Sequence, residues 1–149
     1  MTELKGEGRE VALAEAQAVL AMARDDGMRA RLAHLVASID DGAGDGDAEE
    51  LLEQVLELGL QAGRVRAHYG PGGEQAALAT LRRLPRGVGR TASAREVTDA
   101  LTALEGTTLE RVSITAVAPG SYSLSINAGG LEASIRLDAG GARLVSLAT

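Results

Sequence analysis

Ten residues between positions 64 and 90 carry the side chains and turn chemistry best suited to binding: Arg64, Arg66, His68, Tyr69, Gly72, Gly73, Arg82, Arg83, Arg86 and Arg90. The run Gly70-Pro71-Gly72-Gly73-Glu74 opens a helix, and the free N–H groups of a helix N-terminus attract anions. Arg64, Arg66 and His68 lie just upstream, and Arg82 and Arg83 lie one helix further on. A phosphorylated small molecule would suit this pattern. Against it, Lys5 is the only lysine, neither G-x-x-x-x-G-K-[ST] nor a strand-borne G-x-G-x-x-G occurs, and Glu74 at the mouth repels phosphate. The plainer reading is a tight turn whose arginines pair with acidic residues of the N-terminal half.

The same arginines, with Arg95, could grip a nucleic-acid backbone, with Glu74 to Leu84 as the recognition helix of a helix-turn-helix. The turn before it is glycine-heavy for that motif, and the helix offers few polar side chains to read bases. His34 sits between Leu32 and Leu35 as a boundary residue, and His68, beside Tyr69, is the better functional candidate. Neither histidine has a second His or Cys nearby, so no metal site is expected. No serine lies in a Gly-x-Ser-x-Gly elbow, so no catalytic residues are assigned and the chain leans away from enzymes. Asp40, Asp41, Asp45 and Asp47 cluster with glycines as calcium loops do, but in the best alignment Ala43 takes position 3 and Leu52 takes position 12, where a bidentate glutamate belongs. A solvated acidic connector is the expectation there. No cofactor is implied.

Composition narrows the classes further. Among 149 residues there is no Cys, Phe or Trp, which excludes disulfides, thiolate chemistry and multi-aromatic stacking platforms. Larger aliphatics are plentiful enough for a real core. The net charge of −6 divides unevenly: residues 64–95 hold seven arginines against Glu74 alone, and the segments on either side are acidic. Long-range repulsion of nucleic acid and anionic membranes follows, with local attraction for an acidic protein surface. The longest apolar run, Ala18 to Ala23, is far short of a membrane span, and the N-terminus Met1-Thr2-Glu3-Leu4-Lys5 does not read as a signal peptide. A cytoplasmic protein is expected.

Hydrophobic periodicity supplies the elements that must position these residues. Val11, Ala14, Ala18, Val19 and Met22 recur at helical spacing, as do Met28, Leu32, Leu35, Val36 and Ile39 after the break at Asp25-Asp26-Gly27. Asp47 with Glu50 predicts the start of a third helix, buried through Leu51, Leu52, Val55, Leu56 and Leu58 to Leu60. Arg64 to Tyr69 suits either a helical continuation or a short extended piece. Glu74 to Leu84 predicts a fourth helix stopped by Pro85, Arg86 to Arg90 a linker, and the S-x-x-E box at Ser93 the start of a fifth helix ending at Gly106.

Beyond Gly106 the period falls to two. Val112, Ile114 and Ala116, then Tyr122, Leu124 and Ile126, then Leu131, Ala133, Ile135 and Leu137 alternate with polar residues, with Gly-rich turns between. A last strand follows with Val145 and Leu147 inward. This predicts a four-stranded antiparallel meander with one aliphatic and one Ser/Thr/Arg/Glu face. The fold class is α+β: a four-helix bundle over 1–88, then a capped helix packed on the meander over 90–149, forming two domains or one composite domain. One helix cannot hide four strands, so the rest of the cover comes from the N-terminal helices or from a second copy. The expected function is that of a non-catalytic, self-associating interaction or adaptor protein. Its Arg64–Arg95 surface would meet an acidic partner or a second protomer, with no membrane role. Nucleic-acid regulation and phosphorylated-ligand binding are the alternatives.

Overall fold

Short polar side chains begin the second and third helices by accepting N–H groups that a first helical turn leaves unpaired. In the computed structural model, which describes residues 4–149, α1 spans Gly6–Met22 and α2 spans Asp26–Asp41. Asp25 caps α2 by accepting from the Met28 N–H at 2.8 Å. The α2 C-terminus turns through left-handed Gly42. Arg9 of α1 closes that end by donating to the carbonyls of Ile39 and Asp40, a cation placed where helix carbonyls concentrate negative charge. The cap of α3 (Gly46–Gln61) is Asp45, not Asp47: Asp45 accepts from the Ala48 N–H at 2.9 Å, while Asp47 pairs with Arg31 at 2.8 Å. The connector is thus shorter than expected. The expectation about Met1, Thr2 and Glu3 lies outside the described residues.

The stretch Arg64 to Tyr69 is helical, the first part of α4 (Arg64–Arg83). Gly70 breaks that helix with φ 67° and ψ −168°, a conformation that penalises a side chain, and Pro71 restarts it from a ring already set at helical φ. Pro85 acts similarly. It ends α4 and opens α5 (Pro85–Leu101), so the expected linker over Arg86 to Arg90 is helix. The Ser93 box therefore lies inside α5. What overrides it is a cap from elsewhere in the chain: Glu53 of α3 accepts the Arg86 N–H at 2.8 Å.

The chain divides into two compact units, one up to Gly87 and one from Val88. The first is built on Val11, Leu32, Leu35, Ile39, Leu51, Leu52, Val55, Leu56, Val65, Ala77 and Leu84, all buried. On α1 the buried face is turned from the expected one. Val11, Ala12, Glu15 and Ala16 are buried, Ala14 and Ala18 are half-buried, and Met22 is exposed. Leu58 of α3 also faces out.

In the second unit the last part of α5 and a 3-10 turn at Thr102–Leu104 lead to β1 (Leu109–Ala118), β2 (Ser121–Ala128), β3 (Leu131–Asp138) and β4 (Gly141–Ala148). They form one antiparallel sheet in the order β1-β2-β3-β4. The α5 backbone approaches the β3–β4 turn, where a Cβ at Gly141 would lie 3.7 Å from Arg90 Cα. Ala133 and Ile135 are buried at the middle of the aliphatic face, and Val97 is buried on α5. Val145 is not an inward strand residue. Ile135 pairs with Leu144 and Ser134 with Ser146, so Val145 is the extra residue of a bulge and is 60% exposed. Among the described residues no helix is long and apolar enough to cross a membrane.

Candidate functional site

Arg64 begins its helix where α1 and α3 also converge. Its guanidinium donates to Glu15 Oε2 from Nη2 at 2.5 Å and from Nε at 2.9 Å. The Glu15 side chain is 2% exposed. Space for it comes from Gly59, where any Cβ would overlap Glu15 Oε2 and crowd Val65. The hydrogen bond to Glu15 raises the Arg64 pKa, keeping it charged. Tyr69, one turn on, has its phenol pushed above the ordinary value by burial and by the Glu15 charge, against the opposing pull of Arg64. A buried ion pair of this kind is costly to form and more costly to break on one side only.

The glycine-rich turn is occupied by carboxylates of the protein itself. Arg66 pairs with Glu74 at 3.0 Å, and Glu7 of α1 lies so close that a Cβ on Gly72 would sit 3.1 Å from its Oε1. Gly73 is buried and packs on the Tyr69 side chain, leaving no room for a Cβ. His68 is exposed and meets the Tyr69 ring edge-on at 6.3 Å between centroids. Arg86 reaches back to α3, bonding Glu50 at 2.9 Å and approaching the 2%-exposed Glu53 side chain at 3.4 Å. Arg82 and Arg83 are exposed on the last turn of α4. Arg90 and Arg95 belong to the second unit. Within the first unit the candidate residues fall into separate neighbourhoods. Arg64, Arg66, His68, Tyr69, Gly72 and Gly73 form one neighbourhood, and Arg86 forms another.

The aspartates of the connector are similarly distributed. Asp40 pairs with Arg9 at 3.0 Å, Asp45 caps α3 and Asp47 binds Arg31. The bond from the Ala48 N–H is the main cause of a lowered Asp45 pKa. Among the described residues no group of three or more His, Cys, Asp or Glu is arranged to hold a metal.

The sheet presents two different surfaces. On its polar face the register aligns Ser113, Ser125, Ser134 and Ser146 in a row across all four strands. Beside that row, Arg111, Asn127 and Glu132 are cross-strand neighbours and, with Ser113 and Ser125, line a shallow pocket of about 150 Å³. Asn127 Oδ1 and Arg136 Nε, both on this face, are buried without a hydrogen-bond partner. Asp138 accepts from Gly140 N–H and from Arg143, which together lower its pKa.

On the aliphatic face burial is confined to the middle. Outward from Ala133 and Ile135, exposure rises to 53% at Val112 and 63% at Ile114 on β1, and to 37% at Leu144 and 39% at Leu147 on β4. Leu109 on β1 is 60% exposed and Tyr122 on β2 is 44% exposed. Isolated exposed aliphatics are ordinary, but Leu109, Val112 and Ile114 stand together on an edge strand. Sequence reasoning placed Val112 and Ile114 on the aliphatic face, did not single out Leu109, and missed Glu15 and Glu53. The usable signal for Glu15 was its place four residues after Val11, on the same helical face. Comparisons with family models, curated proteins and solved structures give no significant match to this chain.

Proposed function

We propose that this is a non-catalytic, cytoplasmic interaction or adaptor protein that self-associates, with the open aliphatic flanks of its sheet as the principal contact surface. The observation carrying this reading is the exposure of Leu109, Val112 and Ile114, a surface that water disfavours, along an edge strand whose unpaired backbone groups an added strand would engage. The arginines contribute less than their number suggests. Arg64 and Arg86 hold buried carboxylates and Arg66 holds Glu74, so Arg82 and Arg95, both exposed, are the cations offered to an acidic partner. Carboxylates of Glu7 and Glu74 at the glycine-rich turn weigh against a phosphorylated ligand there.

Light scattering over a wide concentration range tests the proposal: a mass above that of the 15.3 kDa chain is expected, and a monomer throughout would overturn it. Nucleic-acid binding through the same arginines is the competing reading. It would show as affinity for duplex DNA that falls steeply with salt, because phosphate contacts release counterions.

A further inference from the structure

The sheet has two open edges, and they differ in one respect that decides which can accept another strand. On β4 the extra residue Val145 sits in mid-strand and interrupts the ladder. On β1 the irregularities lie only at the ends, between Leu109 and Arg111 and between Ala116 and Ala118. The six residues from Arg111 to Ala116 run regularly, without Pro or a bulge, and Arg111 at one end is the single charge among them. A bulge twists an edge and spoils its donors and acceptors, whereas a regular edge presents them in step.

We propose that the free edge of β1 pairs antiparallel with β1 of a second copy about a two-fold axis through Ser113, joining two four-stranded sheets into one of eight. This assignment rests on the self-association reading above and names its interface. Two conditions select the register. Facing residues in an antiparallel pair project to the same side, so aliphatic must meet aliphatic. Like charges must also not oppose each other. With Ser113 opposite its own copy, Val112 faces Ile114 in both directions, Arg111 faces Thr115, and Glu110 falls across from Ala116. One step toward the N-terminus sets each Val112 against its copy and Ile114 against the charged Glu110. A further step opposes the two copies of Arg111. One step the other way sets Arg111 against the irregular position at Val117 and matches Val112 only with Ala116. The chosen pairing also carries the serine row across the axis and joins the two exposed aliphatic rows.

The chain has no cysteine, so engineered thiols report the contact without background. Opposed residues in an antiparallel pair lie about 4.5–5.5 Å apart at Cα, within disulfide reach. In the full-length protein, Ser113→Cys is expected to form a covalent dimer under mild oxidation. Thr115→Cys alone is expected to stay uncrosslinked, and mixing it with Arg111→Cys is expected to give a heterodimer. Ile114→Lys, which puts a charge opposite Val112, is expected to weaken dimerisation by roughly tenfold or more with the circular dichroism spectrum unchanged. A dimer by light scattering whose Ser113→Cys variant fails to crosslink would overturn the β1 assignment and leave self-association standing. Crosslinking between Ser113→Cys and Thr115→Cys in place of Ser113 homodimers would overturn the register. A monomer at every concentration would remove both.

Discussion

The helical unit and the sheet unit treat hydrophobic surface in opposite ways. Up to Gly87, the large aliphatics of several helices are buried, and two carboxylates, Glu15 and Glu53, are enclosed with them, each held by an arginine. From Val88 onward only Val97, Ala128, Ala133 and Ile135 are buried among the apolar residues, while the aliphatics of β1 and β4 stay open. Helices can rotate and stack until their apolar stripes close on one another. A four-stranded sheet has a broad face that one helix cannot cover. Buried charge and exposed hydrophobe thus carry separate meanings here: the first locks one unit, and the second leaves the other with uncovered apolar surface.

That contrast can be broken most directly at its buried ion pair. Arg64→Ala leaves Glu15 enclosed without its cation and is expected to cost about 3 kcal/mol or more, read as a lowered urea midpoint. Replacing both residues by aliphatics of similar volume is expected to recover most of that loss. A matched pair of isoleucines sharpens the comparison within the sheet. Ile135→Ala is expected to cost roughly 2–5 kcal/mol as a buried truncation, whereas Ile114→Ala costs under about 1 kcal/mol in the monomer. Equal losses would mean that the exposed edge is packed after all.

Smaller effects follow from titration. Asp45 and Asp138 have lowered pKa values in the folded protein, so the stability they contribute is complete above the ordinary aspartate value and is lost as pH falls through their folded values. Acid unfolding of wild type is expected to start at higher pH than that of Asp45→Asn, in which the cap no longer titrates. Tyr69 behaves with the opposite sign. Its raised pKa means that stability holds up to the ordinary phenol value and is lost as pH rises toward the folded one. In a Tyr122→Phe background, the remaining phenol is expected to titrate above 10.0 by absorbance.

Period and turn chemistry made the α+β class, the meander and most of α2 and α3 legible in the sequence, because Leu32, Leu35, Ile39, Leu51, Leu52, Val55 and Leu56 repeat on faces that are buried. Legibility failed where a distant residue decided a local question. The start of α5 depends on Glu53, 33 positions away, which caps Arg86 and overrides the Ser93 box. Glu15 shares the helical face of Val11, but nothing near it in sequence announces Arg64 or the space above Gly59 that let a carboxylate be enclosed there. Alanine-rich α1 gave little to orient it, since small side chains mark a face weakly and Met22 pulled the reading toward a surface position. At Val145 the alternation itself misled: one added residue moves every later side chain to the other face, and only the pairing partners reveal it.

The interruption at Val145 also bears on how large an assembly could become. A sheet with two equivalent open sides would recruit copies without end, and a filament would be the natural product. If copies join through β1 as proposed, the bulge disfavours further addition on the β4 side, and the assembly would halt at two with both blunt margins outermost.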